Sequence, residues 1–410
     1  MKKHFLIIGG MRFIHKKIQE FADVDITFIC TKKKIKPTDF LHYTRAFCLS
    51  DDLNEWLHTI KAINSIQKID NVLCFDDQEQ MRVAILADQL NLPFHKLETI
   101  KNIRDKYLMR DILRKTGLEN IQSASINCIQ DIHNFISEVG FPIILKPRSG
   151  LGSIGIEKIN SYEEVESAYR RSITEMGNNS LVAEQFITGQ EYSVEIFCEH
   201  GEYLILSTTH KFKNPVTFVE QGHFCPANLT EKENQLVCEI MPKILKALNI
   251  ENGACHTEFI ISHDGIHIVE THLRVAGDLI PEMVFAVTGI DEIEYLARQS
   301  LGEPVLPKMK EKLIANNSQP QKYSSVWFFE KNADGIITRI DGIEEARMMD
   351  GIIRVVQFLD VGSRIRKIQQ SDDRVFVVQS ISDSSDRALK LAQIAAEKID
   401  VYVDLVNNDE

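Results

Sequence analysis

The run Phe141-Pro142-Ile143-Ile144-Leu145-Lys146-Pro147-Arg148-Ser149-Gly150-Leu151-Gly152-Ser153-Ile154-Gly155-Ile156 decides how the chain is read. An apolar strand ends in a lysine. A loop with three glycines and two serines follows, and then a second strand begins. Glycines let backbone N–H groups approach phosphate oxygens closely, and the lysine adds a positive charge. The Walker pattern G-x-x-x-x-G-K-[ST] is absent, and the context is strand–loop–strand rather than strand–loop–helix. In isolation the segment reads equally well as a glycine hairpin with an incidental lysine.

Downstream, Leu181-Val182-Ala183-Glu184-Gln185-Phe186-Ile187-Thr188-Gly189-Gln190-Glu191-Tyr192-Ser193-Val194-Glu195 predicts a strand, a connector turning at Gly189, and a strand with alternating acids. Such a hinge can offer backbone groups to an adenine edge, while a carboxylate accepts ribose hydroxyls. Further on, His256-Thr257-Glu258-Phe259-Ile260-Ile261 and Ile266-His267-Ile268-Val269-Glu270-Thr271-His272-Leu273-Arg274 flank a turn at Ser262-His263-Asp264-Gly265. The alternation predicts a hairpin. With its turn centred on Asp264, Glu258 faces Glu270. Like charges directly opposite in a sheet are costly, and a divalent cation removes that cost. Hard oxygen ligands, few in number and completed by phosphates, suit Mg²⁺. The alternative is two carboxylates on a solvated face. Arg274 beside the pair can grip a carboxylate or phosphoryl oxygen bidentately. For His210, His223 and His272, structural and catalytic roles are equally open.

Upstream, strands at 5–8, 26–30 and 71–75 alternate with helices at 14–21 and 79–90, which implies a parallel sheet with crossover helices. Gly9-Gly10 lacks the rest of a G-x-G-x-x-G fingerprint. Single helices are expected over 102–116, 131–139, 161–175 (opened by a Ser161/Glu164 capping box) and 231–248, the last with Leu236, Ile240, Ile244, Leu245 and Leu248 on one face. Residues 306–321 read as a polar linker. An α+β tail follows, with strands at 324–330, 336–340, 353–358 and 374–380 and a helix at 385–398.

The chain has 410 residues, enough for two or three domains at roughly 150 residues each. Its 47 basic and 59 acidic side chains leave a net charge of −12, which argues against a dedicated nucleic-acid binder. Lys32, Lys33, Lys34 and Lys36 read as a solvated turn. No apolar run reaches the roughly 18–20 residues of a membrane span, and the start does not read as a signal peptide. Eight scattered cysteines without C-x-x-C spacing fit reduced thiols, so the expected location is cytoplasmic. A homodimer is the base-rate expectation for assembly.

Five features stand in register: Lys106 in Arg104-Asp105-Lys106-Tyr107-Leu108-Met109-Arg110, Lys146 before Pro147, the glycine loop, the Glu184–Glu191 hinge, and the paired glutamates with Arg274. Together they resemble the ATP-grasp carboxylate–amine ligases over about residues 1–310 and into the tail. Phe218-Val219-Glu220-Gln221-Gly222-His223, Pro226-Ala227 and Arg274-Val275-Ala276-Gly277-Asp278-Leu279-Ile280-Pro281 resemble the bacterial L-amino acid ligases that make dipeptides.

The resemblance implies an α/β and α+β ATP-grasp fold, in which two α+β lobes clasp ATP. The expected units are a parallel α/β domain at 1–100, a linking helix at 101–118, a small lobe with the glycine lid at 119–188, a large lobe with the metal site at 189–310, and a small α+β subdomain at 320–410. It further implies that Lys106 and Lys146 contact ATP, and that Ser149, Gly150, Gly152, Ser153 and Gly155 close over its phosphates. Glu184, Phe186 and Ile187 would meet adenine, and Glu191 the ribose. Glu258 and Glu270 would hold two Mg²⁺ ions, with Mn²⁺ as a substitute. The family often places Asn where this chain has His272, which makes His272 a candidate third ligand.

The implied reaction phosphorylates one amino acid's carboxylate at Arg274 and lets a second amino acid's amine attack it. His223 or Glu220, in a loop spanning 211–226, is the candidate base. The partners implied are ATP and free L-amino acids. The alternatives are an ATP-grasp carboxylase, another carboxylate–amine or carboxylate–thiol ligase, and a non-catalytic nucleotide sensor. Asp76, Asp77 and Glu79 follow a strand end. They are read first as helix N-terminal acids, and second as acceptors for a basic substrate side chain.

Overall fold

The computed structural model describes every residue except 1, 151, 153, 177–179, 317, 332 and 406–410. Strands His4–Ile8, Asp25–Thr31, Arg45–Leu49 and Asn71–Leu73 form a four-stranded parallel sheet, with His4–Ile8 wholly buried. The third strand and the helix Leu53–Ile66 were not anticipated; Trp56, Ile60 and Ile63 bury that helix on the sheet.

A second, antiparallel sheet runs in the order Ser123–Ile126, Leu181–Gln185, Ile143–Pro147, Glu157–Ile159, so the glycine loop joins two neighbouring strands as predicted. The largest sheet has eight antiparallel strands. Gly265–His272, Gly253–Ser262, Gln190–Glu199, Glu202–Lys213 and Glu220–Cys225 come first, and Tyr323–Phe329, Phe376–Ser382 and Ile352–Gln357 complete it. Tail strands therefore extend the same sheet that carries Glu258 and Glu270. A three-stranded sheet of Arg364–Ile365, Gly335–Asp341 and Asp400–Leu405 stands apart from it.

Several expectations need correction. The helix predicted over 102–116 is two helices, Leu97–Arg104 and Lys106–Lys115. Extended backbone at Asp105 breaks it, and the Asp105 carboxylate caps the Tyr107 and Leu108 N–H groups. Asp105 also pairs with Arg148, and Lys106 N–H donates to the Arg148 carbonyl at 2.8 Å. Tertiary contacts outweigh a continuous helix here. The polar stretch after 305 is the helix Leu306–Asn316, docked through buried Leu306 and Met309. Glu164 accepts from the Asn160 N–H, and Ser161 makes no side-chain cap. On Glu231–Ala247 the buried stripe is Val237, Met241, Ile244 and Leu245, with Leu236 turned to solvent. All eight cysteines are free. No described helix is long and apolar enough to cross a membrane.

Candidate active site

Two cavities share Lys146 in their walls. The larger, a basin of about 310 Å³, lies between the glycine loop, the Glu258/Glu270 hairpin, the strand Glu220–Cys225 and the tail residues Ser371, Asp372 and Arg374. The smaller, a slot of about 110 Å³, is walled largely by Ile144, Ile156, Phe186, Ile187, Phe218, Ile260 and Ile268. Gly189 turns the chain out of the slot against the hairpin. A Cβ there would lie 2.3 Å from the Ile261 carbonyl oxygen, so only glycine fits.

Glu184 lines the slot, but its carboxylate is already bound. Lys146 Nζ lies 2.7 Å away, and Arg110 donates at 3.1 and 3.3 Å. Arg110 also grips Glu119, which accepts the Ile268 N–H at 2.9 Å. Burial alone would raise the Glu184 pKa, yet Arg110 and Lys146 outweigh it and hold the carboxyl down at about 2. Glu184 is thus part of the slot's framework rather than a free acceptor for a base. Burial pushes Lys146 the other way, below the usual lysine range. Glu191 sits at the slot wall, ion-paired with Lys213 at 2.5 Å and Lys211 at 3.7 Å.

In the basin, Glu258 pairs with Glu270 across the ladder, as the hairpin reading required. The route differs. Ser262 pairs with Gly265 and Phe259 with Ile268, so a regular ladder would set Glu258 against Val269. A bulge after Glu258 shifts the register by one and brings the two glutamates level. Burial opposes the charge on both. Lys211 and Lys213 outweigh it at Glu258, and Lys106 and His272 at Glu270, so both carboxyls stay well below their ordinary range. Lys106 Nζ lies 2.8 Å from Glu270 and 3.3 Å from the Gly150 carbonyl, tying the glycine loop to the acid pair.

No group of three or more His, Cys, Asp or Glu poised to hold a metal occurs among the described residues. The acid pair still suits a hard divalent cation. Both carboxylates are ionised, and each oxygen has lone pairs beyond those its present partners use. His272 fits the ligand role poorly. Its Nδ1 bonds Asp77 at 3.0 Å, its Nε2 meets Glu270 at 3.1 Å, and its pKa is raised; burial opposes the charge and Glu270 and Asp77 restore it. An imidazole donating from both nitrogens has no lone pair for a metal.

Arg274 lines the basin, with Nε 2.6 Å from Asp77. Asp76 caps its helix at the Gln78 N–H and pairs with Lys34, while Glu79 pairs with Arg82 and Lys34. All three acids therefore have protein partners, and the basic-substrate reading loses its free acceptors.

His223 and Glu220 lie on the strand Glu220–Cys225, not in a loop. His223 is fully buried, with Nε2 3.3 Å from Asp278 and no hydrogen bond at Nδ1. Burial lowers its pKa and keeps it neutral. Glu220 is paired with Lys211 at 3.4 Å and Lys213 at 3.6 Å, which depresses its pKa despite burial and makes it a poor proton acceptor. In the loop, Gly150 and Gly152 line the basin, and Gly152 has φ +69°. Ser149 is exposed outside both cavities, and Gly155 is buried with its carbonyl accepting from Ser172. Ser153 lies outside the described residues.

The sequence reading missed the partners. Arg110, Glu119, Lys211, Lys213, Glu195, His256 and the Asp278–Arg374 pair all enter through tertiary contacts. Lys211-x-Lys213, alternating on one strand face, was the one readable signal among them.

The ATP-grasp domain family matches residues 139–282, and the L-amino acid ligase C-terminal domain 2 matches residues 327–404. An uncharacterised protein of Sinorhizobium fredii is 25% identical over 323 residues, covering 78% of this chain and 65% of that protein. Alanine–anticapsin ligase of Bacillus subtilis is 26% identical over 238 residues, covering 52% of this chain and 50% of that protein. The chain thus spans between half and two thirds of the length of these curated relatives. The crystal structure of an L-amino acid ligase from Bacillus licheniformis superposes with a TM-score of 0.83 at 22% identity, covering 98% of this chain and 99% of that one. Phosphoribosylglycinamide synthetase from Anaerococcus prevotii gives 0.70 at 19% identity over 98% of this chain and 100% of the other. These superpositions show a shared fold. The chain thus carries an ATP-grasp domain over residues 139–282, followed by an L-amino acid ligase C-terminal domain over residues 327–404.

Proposed function

We propose that the protein is an ATP-dependent ligase that joins two L-amino acids through an acyl phosphate, releasing ADP and phosphate. The observation that carries this reading is the pairing of Glu258 with Glu270 beside Arg274, in a basin that shares Lys146 with an apolar slot. The C-terminal domain match and the relative named as an alanine–anticapsin ligase support it.

In this reading the slot takes the purine between Phe186, Ile187 and Ile268. Lys146 and Lys106 neutralise phosphate charge, and Gly150 and Gly152 present backbone to the phosphates. Bound Mg²⁺, held by Glu258 and Glu270, would supply further charge neutralisation at the phosphates. Arg274 grips the carboxylate that becomes phosphorylated. The amine of the second substrate must lose a proton before it attacks. His223, kept neutral by burial and steadied by Asp278, accepts that proton at its free Nδ1. Closure of the glycine loop over the basin keeps water from the acyl phosphate.

Phosphate release from Mg·ATP, measured across single and paired L-amino acids with mass spectrometry of the products, tests this. A dipeptide mass for particular pairs is expected. Phosphate release with bicarbonate alone, or with no amino acid pair, would overturn it.

A further inference from the structure

Two histidines next to the acid pair are arranged alike. His256 and His272 are cross-strand partners, with rings 6.0 Å apart and 22° from parallel. Each stands two residues from one glutamate of the pair and shares its strand face. His256 Nε2 reaches Glu258 at 3.2 Å, and its Nδ1 reaches Glu195 at 2.8 Å. His272 Nε2 reaches Glu270 at 3.1 Å, and its Nδ1 reaches Asp77 at 3.0 Å.

The result is two carboxylate–imidazole–carboxylate arms. One is anchored inside the large sheet, where Glu195 pairs with His256 on the neighbouring strand. The other is anchored on the first turn of Asp77–Leu90, beyond the sheet. Both imidazoles line the basin; neither outer acid does. Glu195 and Asp77 therefore act on the basin side of Glu258 and Glu270 through an imidazole. Each ring spends both nitrogens on carboxylates and has none for a metal.

We infer that His256 and His272 are positioning residues for the paired glutamates, with Glu195 and Asp77 fixing the orientation of the two rings. Each arm pins one oxygen of its glutamate and sets the direction in which the remaining lone pairs face a cation. Partners of this kind around a metal site are worth roughly 10–100-fold in metal affinity. The inference rests on Glu258 and Glu270 holding a divalent cation.

Glu195 is the cleaner probe, because Asp77 also holds Arg274. Mn²⁺ binding to the full chain, with a non-hydrolysable ATP analogue present, is followed by the electron paramagnetic resonance of free Mn²⁺. Glu195→Gln is expected to weaken Mn²⁺ binding by about tenfold. It should also raise the KM for Mg²⁺ more than it lowers kcat. Analogue affinity in EDTA should stay parental. His256→Gln, which keeps a donor near Glu258 but frees Glu195, should move the same way. Unchanged Mn²⁺ affinity in both variants overturns the inference. So does a fall in EDTA affinity as large as the fall in Mn²⁺ affinity, which marks a merely structural role. Absence of Mn²⁺ binding by the parent protein overturns the metal reading along with it.

Discussion

In the slot, Arg110 and Lys146 face Glu119 and Glu184, two cations against two acids in one buried network. In the basin, Lys106, Lys211, Lys213 and Arg274 face Glu220, Glu258 and Glu270 around open space, with Glu191 at the slot wall and Asp77 behind Arg274 as further partners. The residue types are the same. Arg110, Glu119 and Glu184 close on one another, so their charges serve the framework, while Lys146 also lines the basin. The basin's charges meet at a cavity, where an entering ligand can exchange partners with them. A lysine resting on a carboxylate in the free protein can move to a phosphate without leaving a buried charge unpaired. Arg110 has no such freedom.

The largest expected effect separates the two by activity. Glu270→Ala should abolish ADP formation while the chain stays folded, measured by coupled ADP assay and thermal melt; near-normal turnover would sink the metal assignment. Next, Arg110→Met leaves Glu119 and Glu184 buried without their shared cation and should cost about 3–5 kcal/mol of stability in a denaturant titration. A loss below about 1 kcal/mol would mean the slot network is solvated, as exposed pairs are.

Arg274→Ala should act mainly through the carboxylate substrate, losing about 1.5–3 kcal/mol in kcat/KM for that substrate, in line with hydrogen bonds to charged groups. Unchanged KM and kcat would contradict its role.

The smallest effect is pH dependence, which divides between the regions. Burial would lower the His256 pKa, but Glu195 and Glu258 outweigh it and raise it from 6.5 to about 9. Its stabilisation is full below pH 6.5 and is lost as pH rises through about 9. Glu184 is depressed from 4.5 to about 2, so its share is full above pH 4.5 and is lost as pH falls through about 2. His256→Gln should flatten the alkaline limb of a Tm–pH profile and leave the acid limb. The same alkaline slope in both proteins would contradict the assignment.

Local pattern carried a good deal of this. Alternation and a turn placed Glu258 opposite Glu270, although the register comes from a bulge that no turn centre reveals. The strand–glycine loop–strand order followed from Lys146 to Gly155 alone. Single-helix readings failed where distant residues intervened. Asp105 breaks a helix because Arg148, 43 residues on, claims its carboxylate. The segment Leu306–Asn316 looked like a linker because only a narrow face is apolar, and that face docks on a core the pattern cannot display.

The sequence by itself determined the parallel first sheet, the glycine loop, the hairpin of paired acids and the arginine after it. Each rests on spacing within a few residues, which strand period and glycine freedom fix locally. Tertiary structure alone decided which charges are paired in the free protein: Glu184 with Arg110, Arg274 with Asp77, His272 with two carboxylates, and Asp278 with Arg374 from the tail. Those partners lie 74 to 197 residues away in all but the pair His272 and Glu270, and charge pairing depends on distance in space, not along the chain.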